Sequence, residues 1–418
     1  MLANLATPAL AMIDASILGH LSNPAFLAAL SISTGLFAYI LWGFNCISLS
    51  CSTFTATANA QQDFHLVCNR LYQYSFISVC TAIILFIAIQ IGLDPLLNLI
   101  QVSNNLKTFV STYLKIMSFG IVPLLFIQAA IAWFTGIKRP KIALYVLIIS
   151  STINAILDVY FVFVLNMNID GVALASVIAQ FITACFVLIF ILFSIKNNAS
   201  NYSLDPTIWI KNKQVFDFGG TLLLRSGILL SVFLIFNLKG ASINETTAAS
   251  NALLLTIVVL ISSVLDASAS SAQVQIANHP KQQSSILIST FVLMCCFVFA
   301  FLVLILSIGK LYLGFMSNQT MILEQAYQYL PWIGLLCLTS CTSYWLDGVF
   351  LGWQKSSWMR NSVLIAALCG FFPWTFGFNL TNHQLWFCLN LFMFYRSLVM
   401  WIYFLQEKNR LKNKVFES

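Results

Sequence analysis

The sequence predicts an all-α polytopic membrane protein, with twelve transmembrane helices in two six-helix lobes that repeat in parallel. Three observations carry that expectation. The 418 residues are 60% hydrophobic and 8% charged, with mean hydropathy +0.89, whereas a soluble domain carries roughly 25% charged residues. The apolar runs are long enough for twelve crossings. The basic residues also alternate between connections as the spans alternate in direction.

A spanning helix needs about 20 apolar residues. That ruler places the runs at 1–20, 25–57, 71–93, 108–136, 142–166, 170–195, 216–239, 246–277, 284–309, 325–352, 361–380 and 384–405. Several exceed a minimal span, which implies tilt or extension past the bilayer. The expected division is an N-lobe at 1–195 (spans one to six), a cytoplasmic linker at 196–215, a C-lobe at 216–405 (spans seven to twelve) and a basic cytoplasmic tail at 406–418. The N-terminus has no charged n-region and no small-residue cleavage site, so it does not read as a signal peptide.

Fourteen of the 20 lysines and arginines fall in even-numbered connections or the tail, Arg70 among them. Odd connections hold only Lys107, Lys239 and Lys310, while Lys115, Arg225 and Arg396 fall inside spans. The positive-inside rule then puts both termini in the cytoplasm of a multi-pass protein of the inner (plasma) membrane. The net charge of +7 sits in loops and tail without a basic–aromatic stripe, so no nucleic-acid partner is expected.

The parallel repeat is read from two turns. Thr135-Gly136-Ile137-Lys138-Arg139-Pro140 leads into the fifth span, and Leu351-Gly352-Trp353-Gln354-Lys355 leads into the eleventh, 216 residues later. Six helices per half is an even number, so both halves share one orientation and relate about an axis along the membrane normal.

Eleven cysteines lie mostly in apolar runs, with no C-x-x-C pair and no cysteine–histidine cluster at metal spacing. They read as packing residues, and no metal or cofactor is expected. His20, His65, His279 and His383 are scattered, and neither H-E-x-x-H nor G-x-S-x-G occurs, so enzymatic chemistry is not expected.

Ionisable residues inside a bilayer are costly and are functional candidates by default. Four acids qualify: Asp14, Asp158, Asp266 and Asp347, with two arginines, Arg225 and Arg396. In the C-terminal half, acids and arginines balance, and fixed ion pairs that orient helices are as good a reading as function. The N-terminal half has two acids and no deep cation, because Lys115 lies near a helix end and can snorkel. A carboxylate taken out of water tends to hold a proton and to release it when water returns. Asn154 and Asp158 lie four apart on one helix face, where the amide can donate to the carboxylate without neutralising it. Gln128, Ser176, Gln180 and Thr183 outline a polar cavity beside them, although serine and threonine in spans more often bond their own backbone. Tyr39 and Trp42 are candidate cavity walls for flat hydrophobic cations.

Several motifs resemble the multidrug and toxic compound extrusion (MATE) transporters. Met12-Ile13-Asp14-Ala15-Ser16-Ile17-Leu18-Gly19-His20-Leu21 is similar to the family's first-helix signature, and Pro24-Ala25-Phe26-Leu27-Ala28-Ala29 follows it. Asn154-Ala155-Ile156-Leu157-Asp158 and Gly171-Val172-Ala173-Leu174-Ala175 resemble its fifth and sixth helices. Leu346-Asp347-Gly348-Val349-Phe350-Leu351-Gly352 and Met359-Arg360-Asn361-Ser362 resemble the tenth-helix region of its DNA-damage-inducible F (DinF-like) branch.

The resemblance implies a V-shaped pair of six-helix lobes. It implies a secondary active antiporter that exports organic cations or amphiphilic, drug-like compounds in exchange for protons, with sodium as the alternative coupling ion. Asp14, Asn154 and Asp158 match the branch's N-lobe cation site, and Asp347 matches a tenth-helix acid used in other branches. Gln273 stands where the branch carries a glutamate, and family members usually carry a basic segment ahead of the first-helix motif. A monomer in the lipid bilayer is expected. The alternative is a flippase for lipids or lipid-linked precursors, which should line its cavity with basic residues rather than the acidic and neutral groups of the N-terminal half.

Overall fold

Inside a bilayer no water is available to bond backbone N–H and C=O groups, so a chain this apolar pairs them within helices. The computed structural model does so. It describes residues 29–30, 33–37, 40–41, 44–99, 104–196, 213–279, 282–316, 320–377 and 380–416. Asp14, Tyr39 and Trp42 lie outside the described residues.

The first half holds α1 (Asn45–Ala60), α2 (Phe64–Leu99), α3 (Asn104–Phe119), α4 (Ile121–Gly136), α5 (Pro140–Val159) and α6 (Ile169–Lys196). The second holds α7 (Lys213–Ile243), α8 (Glu245–Asn278), α9 (Gln283–Met316), α10 (Thr320–Gly352), α11 (Ser356–Ala366), α12 (Phe372–Gly377) and α13 (Asn382–Phe416). Among the described residues, eight helices are long and apolar enough to cross a membrane, or nine if α3 and α4 form one broken span.

Local chemistry sets several ends. Pro140 opens α5 at its first turn, where its missing N–H costs nothing. Asn244 caps α8 by accepting from the Thr247 N–H at 2.6 Å.

Three features depart from the apolar ruler. The run at 108–136 is two helices that break at Gly120 with a 53° bend. The runs at 142–166 and 361–380 each contain a π-helical turn, at Tyr160–Val164 and Ala367–Phe371. Helices also outrun their apolar stretches, as α13 does by continuing through the basic tail to Phe416. Likewise α2 starts at Phe64, so Arg70 lies in its second turn and not in the connection. Lys115, near the outer end of its span by the charge count, pairs with Asp94 at 2.7 Å in an exposed position.

The chain divides into two compact units, residues 1–215 and 216–418. The first unit has a core built from Ala82 and Ile89 of α2, Tyr113 and Met117 of α3, Ile121 and Leu125 of α4, and Val172 and Val177 of α6. In the second, α10 is the central helix, with 67% of its apolar window buried against 17% for α9.

The two turns 216 residues apart share one backbone. Lys138 and Gln354 both adopt the left-handed region, with φ of 61° and 59°. Lys138 N–H donates to Thr135 O and Arg139 N–H to Phe134 O, while Gln354 N–H donates to Leu351 O and Lys355 N–H to Phe350 O. Gly136 and Gly352 precede these turns at close helix crossings. A Cβ at Gly136 would lie 3.0 Å from Ser52 O of α1, and one at Gly352 would lie 3.0 Å from Gln273 O of α8.

Candidate functional site

Asn154 and Asp158 share one face of α5 and are 2% and 0% exposed. The amide satisfies its neighbours in one orientation and not in the other. In one, its NH2 donates to Asp158 Oδ2 at 3.2 Å while its oxygen accepts from the Ser176 N–H at 3.2 Å and hydroxyl at 3.0 Å. In the other, the NH2 would face the Ser176 N–H, donor against donor, and the oxygen would face the carboxylate, acceptor against acceptor. The first suits an ionised carboxylate, which only accepts. Asp158 thus takes a hydrogen bond from a neutral amide that the Ser176 backbone and hydroxyl hold in place.

The other sequence candidates in this unit divide. Ser176 joins Asn154. Thr183 does not, because its hydroxyl donates to Ala179 O of its own helix at 2.7 Å. Gln180 is half-buried on α6 and packs into the α3–α4 break: a Cβ on Gly120 would lie 2.0 Å from Gln180 Oε1. Gln128 is half-buried on α4 and makes no hydrogen bond to the Asn154 group.

The second unit gathers charges of both signs. Asp347 of α10 is 5% exposed, and its Oδ2 accepts from Arg225 Nη2 of α7 at 2.5 Å and from Arg396 Nη2 of α13. Its Oδ1, Arg225 Nε and Arg396 Nε are buried without a hydrogen-bond partner. Asp266 of α8 is exposed and within electrostatic reach of both arginines and Asp347. With both acids ionised, the four charges sum to zero. Tyr344, one turn before Asp347, lies under Arg396, whose Cζ is 5.7 Å from the ring centroid. Sequence reasoning missed this tyrosine; its spacing of three from Asp347 on one helix was the available signal.

The geometry can be set beside known proteins. The MatE family model matches residues 1–160. DNA damage-inducible protein F of Escherichia coli is 24% identical over 407 residues, covering 94% of this chain and 87% of that protein. The solved structure "Crystal structure of MATE in the bent conformation" matches with TM-score 0.85 at 14% identity, over 99% of this chain and 94% of that one. An outward-facing multidrug resistance MATE family transporter matches with TM-score 0.84 at 15% identity, over 99% and 94%. The fold is shared over nearly the whole chain, and the sequence match covers α5, which carries Asn154 and Asp158. Its first 160 residues match the MatE family model, and over nearly its whole length the chain has the fold of solved MATE transporters.

Proposed function

We propose that this transporter is a secondary active antiporter that exports organic cations or amphiphilic compounds in exchange for protons, by alternating access. Asp158 is the coupling carboxylate, assisted by Asn154 and, from the first-helix motif, Asp14. The observation that carries the reading is the buried Asp158–Asn154–Ser176 group. Its carboxylate takes a hydrogen bond from a neutral amide, a partner that carries no charge of its own when the acid gains or loses a proton. Coupling requires that proton and substrate favour different conformations, because only differential affinity shifts an equilibrium.

Sodium is the alternative coupling ion at the same residues. Pro140 opens α5, and Asp158 lies 18 residues further on, about 27 Å along the helix axis. With α5 starting on the cytoplasmic side, as the charge count has it, that depth is towards the outer face. The reading also takes the chain as a monomer of the inner membrane with both termini in the cytoplasm.

The test is efflux of a fluorescent organic cation from proteoliposomes under an imposed pH gradient, with a sodium gradient in parallel. Wild type is compared with Asp158→Asn and Asp14→Asn at equal incorporation. Efflux driven by the pH gradient and abolished in either variant is the expected result. Dependence on sodium alone would change the ion and keep the site. Transport unchanged in both variants would overturn the site, and no cation transport under either gradient would favour a lipid flippase.

A further inference from the structure

Arg70 is the first lysine or arginine in the chain, and the structure buries it at 7% exposure on α2. A buried guanidinium ordinarily meets a carboxylate. Among the described residues no ion pair reaches Arg70. The titratable groups within electrostatic range are Tyr74 and Cys51, both neutral side chains in their protonated forms.

The contacts that do exist leave donors over. Arg70 Nη1 donates to Gln73 Oε1 at 2.7 Å, and its Cζ lies 5.3 Å from the Phe54 ring centroid on α1. That hydrogen bond fixes the amide, because only its oxygen can face a guanidinium. The Gln73 NH2 is thereby left without an acceptor. Gln73 is fully buried, and its Nε2 and Arg70 Nε both lack a hydrogen-bond partner. The buried Ser78 hydroxyl further along the same face is unpartnered as well. Tyr74 between them is satisfied by Ser50 at 2.6 Å. Two unmet N–H donors, on Arg70 and Gln73, beside an uncompensated positive charge describe a place for an anion.

We propose that Arg70 and Gln73 form an oxyanion site for a phosphate group on the lysine- and arginine-rich side of the membrane. Arg70 lies six residues into α2, about 9 Å from its start, within the polar interface of a bilayer. Phosphate is the abundant anion at that depth, and guanidinium recognises it in a planar, two-point geometry. Tyr72 and Phe76 on the same stretch of helix are exposed and apolar, as a surface beside lipid chains would be. Both unmet N–H donors are shut away from solvent here, so occupancy belongs to a conformation in which α1 and α2 part at this level. The phosphate comes from a lipid headgroup or from free phosphate.

The test uses the full chain in a non-ionic, phosphate-free detergent. Native mass spectrometry and thermal unfolding are read during titration with phosphatidylglycerol, with diacylglycerol as the phosphate-free control, and separately with inorganic phosphate against chloride. Phosphatidylglycerol should be retained at least about tenfold over diacylglycerol and raise the unfolding midpoint, a preference worth about 1.4 kcal/mol. Arg70→Gln should abolish the preference and Gln73→Leu should weaken it. The second variant keeps the charge and carries the test if the first fails to fold. Inorganic phosphate that raises the midpoint without any lipid preference would assign the site to the free anion. No response to either phosphate source, or a response unchanged in both variants, would overturn the proposal.

Discussion

Asp158 and Asp347 are both buried carboxylates, each on a long helix of its own unit, and their neighbours are of opposite kinds. Asp158 faces an amide that a hydroxyl supports from α6. Asp347 holds two guanidiniums on one oxygen, brought by α7 and α13. The repeat sharpens the contrast. Asp347 stands five residues before Gly352, and the position five residues before Gly136 is Ile131. The charge at this place in one unit therefore has no counterpart in the other. An acid whose hydrogen-bond partner is a neutral amide can change charge at small cost. An acid that bonds two buried guanidiniums cannot, because its loss leaves both without their hydrogen-bonded partner. The first arrangement suits a site that works by titrating, and the second suits a fixed clasp among three helices.

The largest effect should come from breaking the clasp. Asp347→Ala removes the carboxylate that both guanidiniums bond and leaves Asp266 to balance two positive charges, and removing one partner of a buried pair costs about 3–5 kcal/mol. Asp158→Asn keeps shape and hydrogen-bonding capacity and should cost no more than about 1 kcal/mol, while removing gradient-driven efflux. Unfolding of the two variants in detergent measures the difference. Equal destabilisation would show that the N-terminal carboxylate is as structural as the C-terminal one.

A second experiment removes the clasp altogether. Arg225→Met, Asp347→Leu and Arg396→Met together replace the charges with apolar groups of similar bulk, a change that is often neutral or stabilising at buried ion pairs. The triple variant should regain most of the stability lost in Asp347→Ala and keep most of the efflux. A folded triple variant with no transport would give the second unit's charges a part in coupling, and Asp266→Asn would then be the next variant to assay.

How much of this was legible in sequence depended on distance along the chain. The Asn154–Asp158 pair is four residues apart on one helix, so period alone places the two groups together. The partners of Asp347 lie 122 and 49 residues away, and composition could offer a balance of charges but no pairing. Arg70 was assigned to a connection because the apolar run starts after it, while the helix starts six residues before it. The break at Gly120 sits inside a continuous apolar run, and the side chain that fills it, Gln180, comes from another helix. Neither π-helical turn has a marker in composition, since both lie in stretches as apolar as their surroundings.

A smaller effect is expected at the hydroxyl behind the amide. Ser176→Ala removes the hydroxyl that donates to the Asn154 oxygen, worth about 1 kcal/mol. Efflux should fall but persist, because the amide still reaches Asp158. Complete loss would make the hydroxyl essential to the exchange rather than a support for it.

The smallest effect tests the frame on which the comparison rests. Lys138 and Gln354 occupy the left-handed region in equivalent turns, at a cost of roughly 1–2 kcal/mol for a residue with a Cβ. Glycine would relieve that cost and return roughly 0.5–1 kcal/mol of it as lost chain freedom. Lys138→Gly and Gln354→Gly should therefore each leave stability within about 1 kcal/mol of wild type, with the same sign. Matched shifts in the unfolding midpoint would mean that the two turns bear equal strain, and that the units differ in their charges while sharing this backbone. Opposite signs would mean that side-chain contacts at one turn outweigh the shared geometry, and Ile131 could no longer be set against Asp347 as its counterpart.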